Sequence, residues 1–466
     1  MQVKKISLVI ASLFITACSS NQLQKPQVNF ADNYATAYVQ SASEDAIAVD
    51  VNWWSAFQSP ALNALMQSAQ AQSPDLLMAA ERVKQAELQM RIANASLFPS
   101  LSASASAGES RSKSDTSTTT RSESTRVGVN ISYEVDLWGG IAAGRAAARA
   151  GYEATRFDQD AAVLSIKAAI ASSWFQWLAL QERIATVQKN IAIAERVQKI
   201  VDARYNNGAA TAADVAQQKT NLLNQRSSLL PLELQAHQTQ SALAILVGKT
   251  PQEFSLALEP LVAVQVPQIA TGTPADLVTR RPDLAAAEAD LRAANANITA
   301  ARAVLLPGIS LSANAGKSAS ELFSLNPATQ TSGWALSLAQ SLFDGGRLVN
   351  QKRLSEARRS ELLLQYHKGI LTALQEVDNA LVAADVSQRQ EFSQQEIVAN
   401  AERSLRLVES RYRAGTDDLL SLLDAQRSLF QAQDALVQQR LARLNAAVDL
   451  YKALGGGWQL AQQNVE

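Results

Sequence analysis

The chain repeats itself at an interval of about 207 residues, and few folds accommodate so long a repeat. "SPDLLMAAE" at Ser73 is matched by "RPDLAAAEA" at Arg281, and "SLFPSLSASA" at Ser96 by "VLLPGISLSA" at Val304. "ARYNNG" at Ala203 is matched by "SRYRAG" at Ser410. The pair Gly139-Gly140 returns as Gly345-Gly346, and Gly248 returns as Gly455. These landmarks keep one order and nearly one spacing, which marks a duplication. The period is too long for a solenoid unit, so the chain is one large fold made of two similar halves.

Each half reads alike. A helix of about 24 residues opens at "PDL", with Pro74 or Pro282 at its first position, and runs to Leu97 or Leu305. Two stretches of period-two alternation follow, separated by a Ser/Thr/Asn-rich connection. After "GG" the spacing predicts a helix of about 65 residues, to Tyr205 or Tyr412. Gly208 or Gly415 then supplies a left-handed turn. A third helix of about 39 residues ends near Gly248 or Gly455. The long helix would measure about 100 Å and the other two about 36 and 58 Å, so the short pair can lie end to end along the long one. Each half then makes two rods and the chain four. Leu76, Ala79, Ala80, Val83, Ala86 and Met90 show the helical spacing, with Gln, Arg and Glu on the other faces, as in a helical wall with a wet surface.

The alternating stretches carry the other constraint. Val127, Val129, Ile131, Tyr133, Val135 and Leu137 share one face, and "GISLSANAG" and "GWALSLAQSLF" alternate likewise. Phe98, Trp138, Phe323, Trp334 and Phe343 are expected near the strand ends. This is the pattern of a transmembrane barrel strand, with one face to lipid and one to a polar lumen. Soluble hairpins covering a helical end would alternate in the same way. Four strands cannot close a barrel in lipid, so a spanning chain must oligomerise.

The N-terminus favours the membrane. "MQVKK" is a basic n-region, "ISLVIASLFITA" an apolar h-region, and Ile15-Thr16-Ala17-Cys18 resembles a bacterial lipobox, with Cys18 the chain's only cysteine. Covalent lipid on Cys18 is the expected modification, and Ser19 is not the aspartate that signals inner-membrane retention. No transmembrane helix is expected beyond residue 18. The net charge of −1 disfavours nucleic acid as a partner. His237 and His367 are far apart and read as helical surface positions. No metal site, phosphate loop or hydrolase motif is present, so no cofactor and no enzymatic activity are expected.

The order lipobox, "PDL" helix, hairpin, "DLWGG", long helix, "RYNNG", and then a second half closing on "RYRAGTDDLLSLLDAQRSLFQAQ", resembles the TolC family of outer-membrane factors. It is nearest the lipidated OprM/NodT-type branch that serves resistance-nodulation-division pumps. The resemblance implies an α+β fold: a homotrimer with twelve strands in one outer-membrane barrel, continued by a helical periplasmic tunnel with an equatorial belt. It further implies a periplasmic adaptor and an inner-membrane pump as partners, in a Gram-negative bacterium, with export of drugs or other small toxic compounds. Type I protein secretion and a pore-free, lipid-anchored scaffold are the alternatives.

The expected layout is a signal peptide at 1–17, a lipidated N-terminal and equatorial segment at 18–72, and a first repeat at 73–265 with its hairpin at 98–138. A linker at 266–280, a second repeat at 281–455 with its hairpin at 306–344, and a tail at 456–466 follow. By the resemblance, Tyr412, Asp417, Leu420, Asp424 and Arg427 form a gate at the periplasmic tip. Leu420, Asp424 and Arg427 share one helical face, while Ala213, Gln217 and Thr220 stand at the same places in the first half. The gate would therefore belong to one hairpin moving against a more fixed one. Gly208 and Gly415 mark the tip turns where an adaptor docks. Trp138, Gly139, Gly140, Phe343, Gly345 and Gly346 mark the strand-to-helix junctions, with the aromatic near the membrane interface.

Overall fold

The computed structural model describes residues 30, 31, 34, 49–113, 119–270 and 273–459. The signal segment 1–17, Cys18 and most of the stretch to residue 48 lie outside the described residues, as do 460–466 of the tail. The described elements run α1 (Pro60–Gln72), α2 (Pro74–Ala95), β1 (Ser100–Ser112), β2 (Thr120–Val135), α3 (Gly140–Asn206) and α4 (Ala212–Leu246). The second half adds α5 (Pro282–Ala303), β3 (Gly308–Ala319), β4 (Thr329–Ala339), α6 (Arg347–Ala414) and α7 (Leu419–Ala453).

The helices differ from the sequence expectation at their ends, for local reasons. α2 and α5 stop at Ala95 and Ala303, two residues short of Leu97 and Leu305. The next amides bond three residues back, Leu97 to Asn94 and Leu305 to Arg302, which tightens the last turn ahead of Pro99 and Pro307. The long helices reach 67 and 68 residues, and α4 and α7 hold 35 each. The expected linker is partly structured: Thr273 and Asp276 form a capping box, one helical turn covers Leu277–Arg280, and Leu277 is buried.

The chain divides into two compact units, each drawing on both repeats. The first takes Lys84–Thr155 and Ala286–His367. It holds a single antiparallel sheet in the order β1-β2-β3-β4. Glu153, buried within this unit, is clamped by Arg149 at 3.4 Å and Arg292 at 2.6 Å.

The second unit takes the described residues up to Val83, then Arg156–Ala285, and the chain from Lys368 on. Its core is aromatic. Trp53 stacks on Tyr451 with ring centroids 5.2 Å apart, Phe57 meets Phe175 at 5.0 Å, and Trp174 stacks on Trp177 at 5.3 Å. This explains an apolar window of α3, whose mean hydropathy of 1.3 would suit a membrane span but which is 56% buried within the protein. The duplication is visible here as a steric fact. A Cβ on Gly248 would overlap the carbonyl of Gln72, and one on Gly455 would overlap that of Arg280, the same contact made once in each half.

Candidate functional site

The pairing register sorts the sheet's side chains into two unlike faces. Leu101 stands opposite Ile131, Ile131 opposite Ala313, and Ala313 opposite Trp334. The neighbouring rows of that face hold Ala103, Val129 and Ala315, and then Tyr133, Leu311 and Leu336. The other face carries Ser102, Asn130, Asn314 and Gly333 in one row, and Ser100, Ser132, Ser312 and Ala335 in the next. A one-residue slip between any two strands would mix the faces, so the register itself separates lipid-compatible from water-compatible surface. Leu101, Trp334, Leu336 and Leu338 are exposed on the apolar face. β1 and β4 are edge strands whose outer ladders lack partners among the described residues. Trp334 stands mid-strand opposite Ala313, rather than near an end, because β4 already begins at Thr329.

At the junctions the two halves reach one result with different residues. Asp136 accepts from the amides of Ile141 at 2.9 Å and Ala142 at 2.7 Å, capping α3. Asp344 accepts from Gly346 and Leu348, both at 3.0 Å, capping α6. A carboxylate at a helix N-terminus satisfies orphan amides and complements the helix dipole. Sequence reading passed over both aspartates, because they stand three residues before the first glycine in one half and directly before it in the other. Gly139, Gly345 and Gly346 have positive φ, whereas Gly140 is helical and lies so close to Ala303 that a Cβ would collide with it. Trp138 is half-buried and its indole donates to the Pro307 carbonyl at 2.7 Å, while Phe343 is 92% exposed.

The tip turns at the other ends of the long helices are built alike. The amides of Gly208 and Ala209 bond to the carbonyls of Tyr205 and Arg204 at 2.9 and 2.8 Å, and those of Gly415 and Thr416 to Tyr412 and Arg411 at 3.1 and 3.0 Å. This is the Schellman arrangement, and it requires the left-handed φ of +73° and +78° found at the two glycines. α4 is then capped by Thr211 and Asp214 in a capping box. α7 is capped by Asp418, whose carboxylate accepts from Ser421 at 2.8 Å. That backbone hydrogen bond holds the Asp418 carboxyl below its ordinary range.

Leu420, Asp424 and Arg427 do share one exposed face of α7. Asp424 and Arg427 are ion-paired, and Leu420 is 62% exposed. Asp417 pairs with Arg411 at 3.4 Å beside the turn. Tyr412 is elsewhere: it is 3% exposed and packs with Val197, Val201, Leu405 and Leu422. The Arg204 guanidinium covers its ring at 4.6 Å and donates to its carbonyl. Burial pushes the Tyr412 phenol above its usual range, with Arg204 opposing. Tyr205, its counterpart, is 46% exposed. Sequence reading also missed Glu409, which is buried between Arg196 at 2.9 Å and Arg413 at 2.6 Å and ties α3 to α6.

Comparison with known proteins agrees with these surfaces. The sequence matches the outer membrane efflux protein family over residues 65–249 and 273–456. It is 38% identical to the pyoverdine export outer membrane protein OpmQ of Pseudomonas aeruginosa, covering 100% of this chain and 99% of that protein. It is 33% identical to the toluene efflux pump outer membrane protein TtgC of Pseudomonas putida, covering 98% and 97%. The fold matches the open-state MtrE outer membrane channel of Neisseria gonorrhoeae with a TM-score of 0.79 at 28% identity, covering 94% of this chain and 98% of that one.

Proposed function

This chain belongs to the outer membrane efflux protein family, and from that premise we propose that it is the passive, gated exit duct of a resistance-nodulation-division-type tripartite pump. Its place as an outer-membrane efflux channel is a property it shares with these relatives. The observation that carries the finer reading is the sheet, with one face apolar, one face polar and, among the described residues, an open outer ladder at each edge. Open edges are excluded from lipid, so β4 of one copy joins β1 of the next until the barrel closes, in three copies by the family resemblance. The lipid on Cys18 anchors each copy. A periplasmic adaptor docks at the turns around Gly208 and Gly415, and the face of Leu420, Asp424 and Arg427 forms the periplasmic gate. The names of two relatives pair this architecture with different cargo, pyoverdine and toluene. The duct therefore passes small molecules that its pump selects, and no energy-coupling site is needed in it.

The reading is tested with the full-length protein in detergent and in planar bilayers. It predicts a heat-modifiable trimer, discrete single-channel conductance, and a deletion strain sensitised to antibiotics, dyes or bile salts. A chain that stays monomeric and non-conducting, yet remains lipid-anchored, would instead be a periplasmic scaffold.

A further inference from the structure

The register places charge on the sheet very unevenly. Five charged side chains fall on the apolar, lipid-side parity, all toward the loop ends of the strands: Glu109, Arg111, Arg121, Glu123 and Lys317. Among the described residues, the polar face of the four strands holds only two, Arg126 and Glu134. Both are on β2, about 27 Å apart along the strand, and among the described residues neither has an ion-pair partner. Arg126 shares its row with Ser106, Ser318 and Thr329. The next row inward has Gly128 directly opposite Gly316, where the backbones approach so closely that a Cβ on Gly316 would overlap the Val127 carbonyl. Among the described residues, the small side chains of its row and the Gly128–Gly316 pair in the next carry no charge to neutralise the guanidinium.

We propose that Arg126 is the charge-selective element of the barrel lumen, forming a ring of cations near the outer mouth that concentrates anionic solutes there. This rests on the reading that copies of the sheet close a barrel. Every closed arrangement repeats Arg126 once per copy at one height, because each copy contributes the same row. A ring of Arg or Lys lining a polar pore draws anions, and low-dielectric walls strengthen the effect. Glu134 makes the matching ring at the helix end of the strand, so a solute leaving the duct passes an acidic ring first and a basic ring last.

The test is a thiol placed beside the ring. Ser318→Cys, adjacent to Arg126 on the same face, is introduced into the full-length chain reconstituted in bilayers, with the unsubstituted chain labelled in parallel. An anionic thiosulfonate reagent is expected to react with the introduced thiol about tenfold faster than a cationic one of similar size. Arg126→Gln in the same background removes that preference while single-channel conductance persists. Conductance together with equal rates for both reagents would overturn the role of Arg126 and leave the barrel standing. A thiol that neither reagent reaches, in a chain that does not conduct, would overturn the barrel reading and this inference with it.

Discussion

The two tip hairpins are copies of one sequence, yet they are held by different physics. The α6–α7 hairpin supplies most of the local apolar core, with Leu405, Tyr412, Leu419, Leu422, Leu429 and Phe430 packed against Val197 and Val201 of α3. The start of α4 is attached mainly by polar contacts. Gln218 donates to the Ala194 carbonyl at 2.8 Å, Asn221 to Gln426 at 2.9 Å, and Arg226 pairs with Glu195 at 2.7 Å. The charged, exposed face is on α7, which is also the better-packed helix within one chain. Charge and packing therefore point in opposite directions. If α7 carries the gate, it moves as a packed body with its neighbours on α3 and α6, or its apolar contacts slide. The α4 side has less to break.

The largest expected effect is on conductance. Replacing Asp424 and Arg427 together with alanine should raise single-channel conductance severalfold, while Gln217→Ala with Thr220→Ala, the same positions in the first half, should leave it unchanged. Equal effects in planar bilayers would erase the functional difference between the hairpins. Next comes packing. Leu422→Ala removes a side chain with 0% exposure and should lower local opening free energy by about 3 kcal/mol. Its counterpart Val215→Ala, only partly buried, should cost roughly 1 kcal/mol or less. Hydrogen exchange on the tip amides measures both, and the reverse order would mean that α4 is the anchored helix.

Where the hairpins are alike, the effects should match. Gly208→Ala and Gly415→Ala both place a side chain at positive φ, the first in open space and the second in ordinary contact with the Arg204 guanidinium at 4.0 Å, so each should cost about 1 kcal/mol. A clear inequality in the same exchange experiment would show that one turn is strained by its surroundings. The smallest effect is a matter of pH. The Asp418 carboxyl sits below its ordinary range when folded, so its cap is fully present above the unfolded value of about 3.9 and is lost as pH falls through the lower folded value. Protection of the Ser421 amide should weaken only in that acid window. Asp418→Asn, which keeps an acceptor oxygen, should remove the acid step.

Much of this was legible in the sequence, because it follows from short-range rules. Period-two alternation in "RVGVNISYEVDLW" identified β2 and its apolar face, and "YNNG" and "YRAG" announced turns that need left-handed backbone. What escaped depends on partners far along the chain. Tyr205 and Tyr412 occupy the same motif, but only Tyr412 lies under the guanidinium of Arg204, a residue of the other repeat. Likewise Glu409 looks like any helical glutamate until Arg196 of α3 is brought beside it. Trp334 read as a strand-end aromatic because polar residues 329–332 resembled loop, yet their pairing with β3 extends the strand past them.

The plainness of the sheet's polar face has a consequence for transport kinetics. Between the rows of Arg126 and Glu134, serine, threonine, asparagine, glycine and alanine offer a passing molecule many weak and nearly interchangeable contacts and no deep resting place. Flux through a pore depends on how fast a solute leaves each site as well as on how readily it enters. Between the two charged rows, a wall of shallow, similar wells keeps residence brief for solutes of unrelated shape, so this stretch leaves discrimination to charge and seldom limits the turnover of the pump that feeds it.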